Sequence, residues 1–519
     1  MLARLSSASL RGLDAEAVDV EVDLSKGLPC WTLVGLGEAA VREARDRVRA
    51  AVVNSGFEFP LRRITVNLSP ADRRKDGSHF DLPIAIGLLM ASDQLKLREK
   101  LSLKAEGAEH GQQTNTHFLI GELALDGRLN PVSGVLPLVL FARQKGFHDV
   151  IVPAGNEQEA ASIHGMCVFS ASNLLAVVRH INGDSQLTVA VARETKNAFM
   201  PMLDMADVRG QQQARRVLEI AASGAHHLLM SGSPGVGKSM LAKRLPGIMP
   251  PLTSEQAMDV TRIYSISGDT SRPPMCLQPP LRQPHHSASD VAIIGGSSNP
   301  RPGEISKAHF GILFLDELPE HKRIVLETLR QPLEDGKVCV ARAADSVEFP
   351  ARFQLIAAMN PCPCGYLGHP SKACRCSPAQ IRRYISRISG PLLDRFDLRI
   401  HIPPVVREDL ARMQPGEGSA CISKRVQAAR DIQYRRLGEG RVNARMNTDE
   451  IERYARPDTE AAKLLDQAMS RFSLSARSYH RILKVARTIA DLAATQQIDS
   501  GHIAEALQYR GEDLFNSFL

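Results

Sequence analysis

Gly232 to Ser239 reads GSPGVGKS, two glycines with four residues between them, followed by Lys and Ser. The run follows an apolar stretch, His226 to Met230 (HHLLM), and opens a helical one, Met240 to Leu245. Strand, glycine-rich loop and helix in that order are the setting a phosphate-binding loop requires. They commit this part of the chain to an α/β layer with a parallel sheet. The loop Gly232, Ser233, Pro234, Gly235, Val236 and Gly237 forms the cradle, with backbone N–H groups from all but Pro234. Lys238 neutralises the β and γ phosphates, and the Ser239 hydroxyl ligates magnesium. ATP and Mg2+ are the ligands this spacing calls for.

Two more apolar runs end on polar residues. Gly311 to Glu317 (GILFLDE) places Asp316 where it can hold magnesium through water and Glu317 where it can activate the attacking water. A carboxylate pair after an apolar run is often only a helix cap, but the upstream phosphate loop gives this one a catalytic role. Asn360 closes Phe353 to Met359 and can orient the same water; alone it reads as a turn before Pro361.

At 519 residues the chain exceeds one core, and about three domains are expected. Residues 1–182 alternate short β-rich runs (Val18 to Val22, Ile64 to Leu68, Phe118 to Leu125, Val150 to Val152) with helical ones (Glu38 to Ser55, Pro137 to Lys145), an α/β pattern. Residues 183–201 are polar and aperiodic, which predicts a linker. Residues 202–403 carry the phosphate loop and near-continuous apolar strands of the kind buried on both faces. Residues 404–519 turn helical after Arg407, with Leu464, Leu465, Ala468, Met469 and Phe472, then Ile482, Val485, Ile489 and Leu492, at helix spacing.

The apolar runs Leu82 to Met90 and Val135 to Ala142 fall short of the roughly 20 residues a membrane span needs. The N-terminal segment lacks the apolar centre of a secretion signal. With nine cysteines, an odd number, the composition predicts a reducing, cytoplasmic setting and no membrane partner. A formal charge of +7 permits polyanion contact without demanding it, and one Trp with 5% aromatics disfavours base stacking. Any nucleic-acid contact should therefore rest on phosphates and be indifferent to sequence. Lys372, Arg375, Arg382, Arg383 and Arg387 form a run without an acid, ordinarily a solvated face but able to take phosphates.

Cys362, Cys364, Cys374 and Cys376 lie in CPCGYLGHPSKACRC. Two C-x-C pairs can supply four thiolates to a tetrahedral Zn2+, with His369 as a substitute ligand, although the pairs are tighter than the usual spacing. The alternative is a reduced, partly buried loop with reactive thiols. Cys30, Cys167, Cys276, Cys339 and Cys421 are isolated and are expected in core packing.

The run PGEISKAHFGILFLDELPEH, the stretch QPHHSASDVAIIGG before it and SGPLLDRFDLRI after it resemble the magnesium-chelatase-like branch of the AAA+ ATPases, from Met202 to Tyr509. The resemblance implies that Arg395 is an arginine finger reaching a neighbouring subunit's ATP and that Arg477, in LSARSYHRI, is the lid arginine contacting phosphate. Arg481, four residues on, competes for that second role. It also implies a homo-hexamer. Two insertions facing a pore, His285 to Glu304 and a hairpin from Lys337 to Arg352, follow from the same layout. The first 182 residues are similar to the Lon-related domain of the ComM/YifB group. There RKDGSHFD places His79 where Lon has its nucleophilic Ser, with Ser78 one position early, and Leu136 replaces the general-base Lys. A Ser–Lys pair lacking its base is not activated, so a catalytically inactive fold is expected.

The resemblance implies an ATP-driven DNA helicase promoting branch migration of recombination intermediates in natural transformation, with single-stranded or branched DNA as partner. The competing functions are a metal-insertion motor for tetrapyrroles and an ATP-dependent protein remodeller or protease.

Overall fold

The structure is a computed structural model and describes residues 1–35, 41, 43–72, 75–95, 117–192, 202–296, 300–341, 346–404, 416–472 and 474–510. Unit 1 comprises Met1–Ala198 with Met258–Cys276 and Ser298–Arg301; unit 2 comprises Phe199–Ala257, Leu277–Ser297 and Pro302–Leu519.

Unit 1 begins with long strands β1 (Leu2–Arg11) and β2 (Asp14–Ser25), then β3 (Cys30–Val34), α1 (Ala44–Asn54), β4 (Arg63–Ser69) and α2 (Asp81–Ala91). The strands form one sheet in the order β1-β2-β4-β3. Strict alternation puts Val18, Val20, Val22 and Leu24 of β2 on the same buried face as Ile64, Val66 and Leu68 of β4. The apolar run Leu82 to Met90 is α2, apolar on all sides because nearly every residue of it is buried. A second sheet has the order β8-β7-β6-β5, from β5 (His117–Leu119), β6 (Asp149–Pro153), β7 (Cys167–Ala171) and β8 (Thr188–Val189). Helices α3 (Val135–Gln144) and α4 (Leu174–Asn182) accompany it.

Two sequence expectations are corrected here. Within the expected linker, residues 183–201, the structure describes β8, which pairs antiparallel with β7 through Thr188↔Ser170 and Val189↔Phe169; residues 193–201 lie outside the described residues. A two-residue strand is too short to produce periodicity, so its pairing partner decides it. The run Phe118 to Leu125 is two strands, broken between Leu119 and Glu122, because Gly121 packs where a Cβ would meet Leu129 at 2.7 Å. The helix expected from Glu38 is described from Ala44; residues 36–40 and 42 lie outside the described residues.

Unit 2 is built on a five-stranded, all-parallel sheet. Its strands are β9 (Leu228–Ser231), β10 (Leu281–Arg282), β11 (Ile312–Leu315), β14 (Gln354–Met359) and β15 (Leu398–His401), in the order β10-β11-β14-β9-β15. Every residue of β9, β11 and β14 is buried, as parallel strands covered on both faces must be. The hairpin expected at Lys337 to Arg352 is present as β12 (Lys337–Ala341) and β13 (Ser346–Pro350), paired from Lys337↔Pro350 inward; 342–345 lie outside the described residues. Of the other expected insertion, His285 to Glu304, the structure describes a short helix, Asp290–Ile294. Residues 297–299 and 405–415 are outside the description, so the expected boundary after Arg407 falls there.

Helices α5 (Gln212–Gly224) and α6 (Lys238–Arg244) flank β9 in sequence, and α8 (Ser419–Leu437) opens the helical part after α7 (Pro378–Ile385). Then come α9 (Thr448–Tyr454), α10 (Thr459–Arg471), α11 (Ala476–Leu492) and α12 (Ser500–Gln508). Asn447, Asp458, Ser475 and Asp499 each accept a backbone N–H at the start of one of these four helices, which is why the helices begin there. Ile482, Val485, Ala486 and Ile489 form the buried stripe of α11, each large side chain worth about 1.5–3 kcal/mol. No helix among the described residues is long and apolar enough to cross a membrane.

Candidate functional site

The phosphate loop joins β9 to α6. Gly235 and Gly237 have φ of +82° and +93°, a region L side chains rarely adopt, and a Cβ on Gly232 would lie 2.6 Å from the Ile402 carbonyl oxygen. The loop therefore needs glycine at all three places. Lys238 Nζ donates to the Gly232 carbonyl at 2.6 Å, to the Ser233 carbonyl at 3.0 Å and to Asn360 Oδ1 at 3.1 Å. Burial pushes its ammonium down to about 8, against the pull of Asp316 and Glu317. A polyphosphate arriving here meets a cation whose neighbours are loop carbonyls that it can leave.

Ser239 Oγ donates to Asp316 Oδ2 at 2.5 Å, from the first turn of α6 to the residue that follows β11. A hydroxyl and a carboxylate in direct contact are the hard oxygen donors magnesium takes. Glu317 sits at φ 49°, ψ 49°, the left-handed region, which turns its carboxylate out of the strand line. His286 Nδ1 lies 3.5 Å from Glu317 Oε2 and His321 Nε2 lies 3.1 Å from the Asp316 carbonyl. The structure thus brings Lys238 and Ser239, at the start of α6, together with Asp316, Glu317 and Asn360, which follow the C-terminal ends of β11 and β14, where open α/β sheets bind ligands. The pairing of β11 with β14, and of β14 with β9, sets this convergence.

Arg395, Arg477 and Arg481 are elsewhere. All three line a cavity of about 550 Å³ whose walls, among the described residues, include no member of the phosphate loop and neither Asp316 nor Glu317. Arg395 is buried, its guanidinium paired with Glu334. Arg481 Nη1 donates to Asp397 Oδ1 at 2.7 Å and to the Arg395 carbonyl at 2.8 Å. Burial alone would raise Asp397, but Arg481 and His226 outweigh it and hold the carboxyl well below its usual range. Arg477 is exposed at the mouth of α11, so of the two lid candidates Arg481 is committed to Asp397 while Arg477 faces solvent.

Comparison with known proteins agrees with this architecture. Residues 204–410 match the family described as magnesium chelatase, subunit ChlI. Residues 20–156 match subunit ChlI of Mg-chelatase, and 416–510 match its C-terminal region. The competence protein ComM of Haemophilus influenzae is 46% identical over 98% of this chain and 97% of its own length. The YifB protein of Escherichia coli is 43% identical over 97% and 96%. The chain belongs to the magnesium-chelatase family, in its ComM/YifB branch. An archaeal Lon protease of Halobacterium salinarum is 35% identical over 80 residues, 15% of this chain and 11% of that protein.

For a magnesium-chelatase family member, sequence reasoning missed several partners. Asp207, Val208 and Gln211 line a pocket of about 370 Å³ beside Pro234, Gly235 and Met240, large enough for a nucleoside next to the phosphate cradle. The DVRGQ run just before α5 was the available signal. Glu334 and Asp397, which hold Arg395 and Arg481, and His286, which faces Glu317, carried no spacing that pointed to them.

The cysteine readings divide. The sulfurs of Cys362, Cys364, Cys374 and Cys376 all lie within 4.8 Å of one another, and the four are free thiols. His369 is not their substitute: its Nδ1 accepts the amides of Ser371 and Lys372, both at 3.1 Å. Of the five isolated cysteines only Cys276 is buried; Cys30, Cys339 and Cys421 are exposed, which corrects the core-packing expectation. In unit 1, His79 is buried with Nε2 2.8 Å from the Ala8 carbonyl, and Leu136 is fully buried. Lys372, Arg375, Arg382, Arg383 and Arg387 are each exposed, with Arg387 paired to Glu320 at 2.7 Å.

Proposed function

We propose that this chain is an ATP-hydrolysing, ring-forming DNA translocase that promotes branch migration of recombination intermediates during natural transformation. The observation that carries the reading is the separation of two half-sites. Phosphate, magnesium and water ligands converge on Lys238, Ser239, Asp316, Glu317 and Asn360, while Arg395 and Arg477 line a cavity that excludes all five. Transition-state charge on the transferred phosphoryl requires an arginine that the chain cannot bring from its own phosphate end, so a second copy supplies it. Closed repetition of that heterologous contact makes a ring, here a homo-hexamer.

Lys238 holds the β and γ phosphates, Glu317 takes the proton of the attacking water, and Asn360 orients it. Ser239 and Asp316 would hold a magnesium ion, which would supply charge neutralisation to the bound phosphates. Arg395 exchanges Glu334 for a neighbour's phosphate, and Arg477 reaches it from the lid. The first 182 residues act as a non-catalytic fold for assembly or DNA contact, since His79 and Leu136 offer no Lon chemistry. The competence protein of Haemophilus influenzae, matched end to end, supports the transformation setting. Purified protein with a mobile four-way junction tests the function. Resolution requiring ATP and magnesium, with DNA-stimulated hydrolysis, is expected; ATP-independent resolution, or none with DNA binding and hydrolysis intact, would favour metal insertion or protein remodelling.

A further inference from the structure

We propose that Cys362, Cys364, Cys374 and Cys376 bind one zinc ion as four thiolates, and that this metal braces the phosphate loop through Gly365. The inference rests on the nucleotide site read above, and its metal arm stands independently.

The distances are those of a metal centre. Cys362 Sγ lies 3.4 Å from Cys364 Sγ and 3.6 Å from Cys374 Sγ, and Cys364 and Cys374 are 3.6 Å apart. A disulfide would need about 2.05 Å. A tetrahedron of sulfurs about 2.3 Å from zinc has edges of about 3.8 Å. Cysteines two and ten residues apart have no other reason to point four sulfurs at one spot, and the tight C-x-C spacing is overcome because both pairs approach from opposite ends of one loop. Backbone amides surround the sulfurs as they surround metal thiolates: Gly365 and Leu367 bond Cys362, Tyr366 and Arg375 bond Cys364, and the Cys376 amide reaches Cys374 Sγ at 3.4 Å. Four thiolates on Zn2+ leave two negative charges. Lys372 and Arg375 lie inside the loop with no acid, which gives that basic run a local role.

The loop is also joined to the nucleotide end at three points. Asn360, two residues before Cys362, accepts from Lys238 Nζ at 3.1 Å. The Tyr384 hydroxyl, in the helix that follows Cys376, is hydrogen-bonded to the Asn360 backbone. Gly365, at φ +82°, packs so closely on the phosphate loop that a Cβ would lie 2.5 Å from Pro234 Cδ. A loop of this length without regular structure cannot hold such a contact by its own few apolar side chains. A metal that closes it can.

Metal analysis of the purified full chain should give one zinc per chain. Cys364→Ser and Cys376→Ser should each fall below a tenth of an equivalent, while Cys339→Ser and Cys421→Ser keep the full amount. Less than a tenth in the wild type, with no uptake of Co2+ as a thiolate complex, would overturn the metal. For the brace, a variant with Cys30, Cys339 and Cys421 all changed to Ser is stripped with a mercurial and then restored with reductant and zinc. Affinity for a fluorescent ATP analogue should fall at least tenfold and return. Gly365→Ala should weaken the same binding at least fivefold while retaining zinc, a result a folding defect at the cysteines cannot mimic. Changes under twofold in both would overturn the brace. Lys238→Ala should lose nucleotide and keep its zinc; retained nucleotide binding there would instead sink the underlying site reading.

Discussion

Lys238 and Glu317 occupy different steps of one reaction, and substitution separates them. Lys238→Ala removes the cation facing the phosphates and should abolish nucleotide binding or turnover. Glu317→Gln keeps the shape but cannot take a proton, so it should bind ATP and hydrolyse it at least 100-fold more slowly, the usual scale of general-base loss; single-turnover hydrolysis with labelled ATP reads both. Two histidines make a pH prediction. His227 Nδ1 accepts the Leu355 amide and His309 Nδ1 accepts the Arg352 amide, both at 2.9 Å. Burial pushes His227 down to about 4, against the pull of Asp397, and burial with the neighbouring Arg352 and Arg445 pushes His309 down to about 3. The unfolded chain binds protons below about 6.5 that the native histidines refuse, so stability falls as pH drops from there toward 4. Each histidine contributes a slope of up to about 1.4 kcal/mol per pH unit. His309→Asn, which keeps an acceptor where Nδ1 stood, should flatten the acid limb of urea-unfolding midpoints by one such increment; an unchanged limb would remove His309 from the account.

At the scale of elements, β14 does most to shape the nucleotide end. It lies between β9 and β11, and its last residue is followed by Asn360, so its register sets the distance from Asn360 to Lys238. Ile356→Ala opens a cavity where the side chain is wholly buried and should cost about 2–5 kcal/mol in chemical denaturation. The capping box of α7, in which Ser377 accepts the Gln380 amide, is a milder case. Ser377→Ala should cost about 1 kcal/mol and leave hydrolysis unchanged. On strands, the sequence was read well: the apolar runs at β9, β11 and β14 are the observed strands within a few residues. The short edge elements were not legible, β8 above all, because two residues carry no period.

For the whole molecule, the ring reading makes a complementation prediction. Arg395→Ala chains retain Glu317, and Glu317→Gln chains retain Arg395. Mixed rings should therefore recover hydrolysis at interfaces that join an intact carboxylate to an intact finger, whereas either variant alone stays inactive. No recovery in rings shown to be mixed would make Arg395 a structural partner of Glu334. DNA held through phosphates by exposed arginines and lysines should bind many sequences alike, with affinity falling steeply as salt rises; filter binding across a salt series measures the slope.

By itself the sequence determined the phosphate loop, the Asp316–Glu317 pair and the four-cysteine set, because each is local: glycines at fixed spacing, carboxylates at a strand end, paired thiols. It also determined the strand order of chemistry along the chain. Only the tertiary structure decided that Asn360 meets Lys238, that Arg481 is bound to Asp397 while Arg477 faces solvent, and that His286 stands against Glu317. It likewise placed Met258–Cys276, a stretch inside the sequence of the ATPase block, with unit 1. Those facts depend on strand register and on which helix covers which sheet face, and pairing across a hundred residues or more leaves no period in the segments that pair.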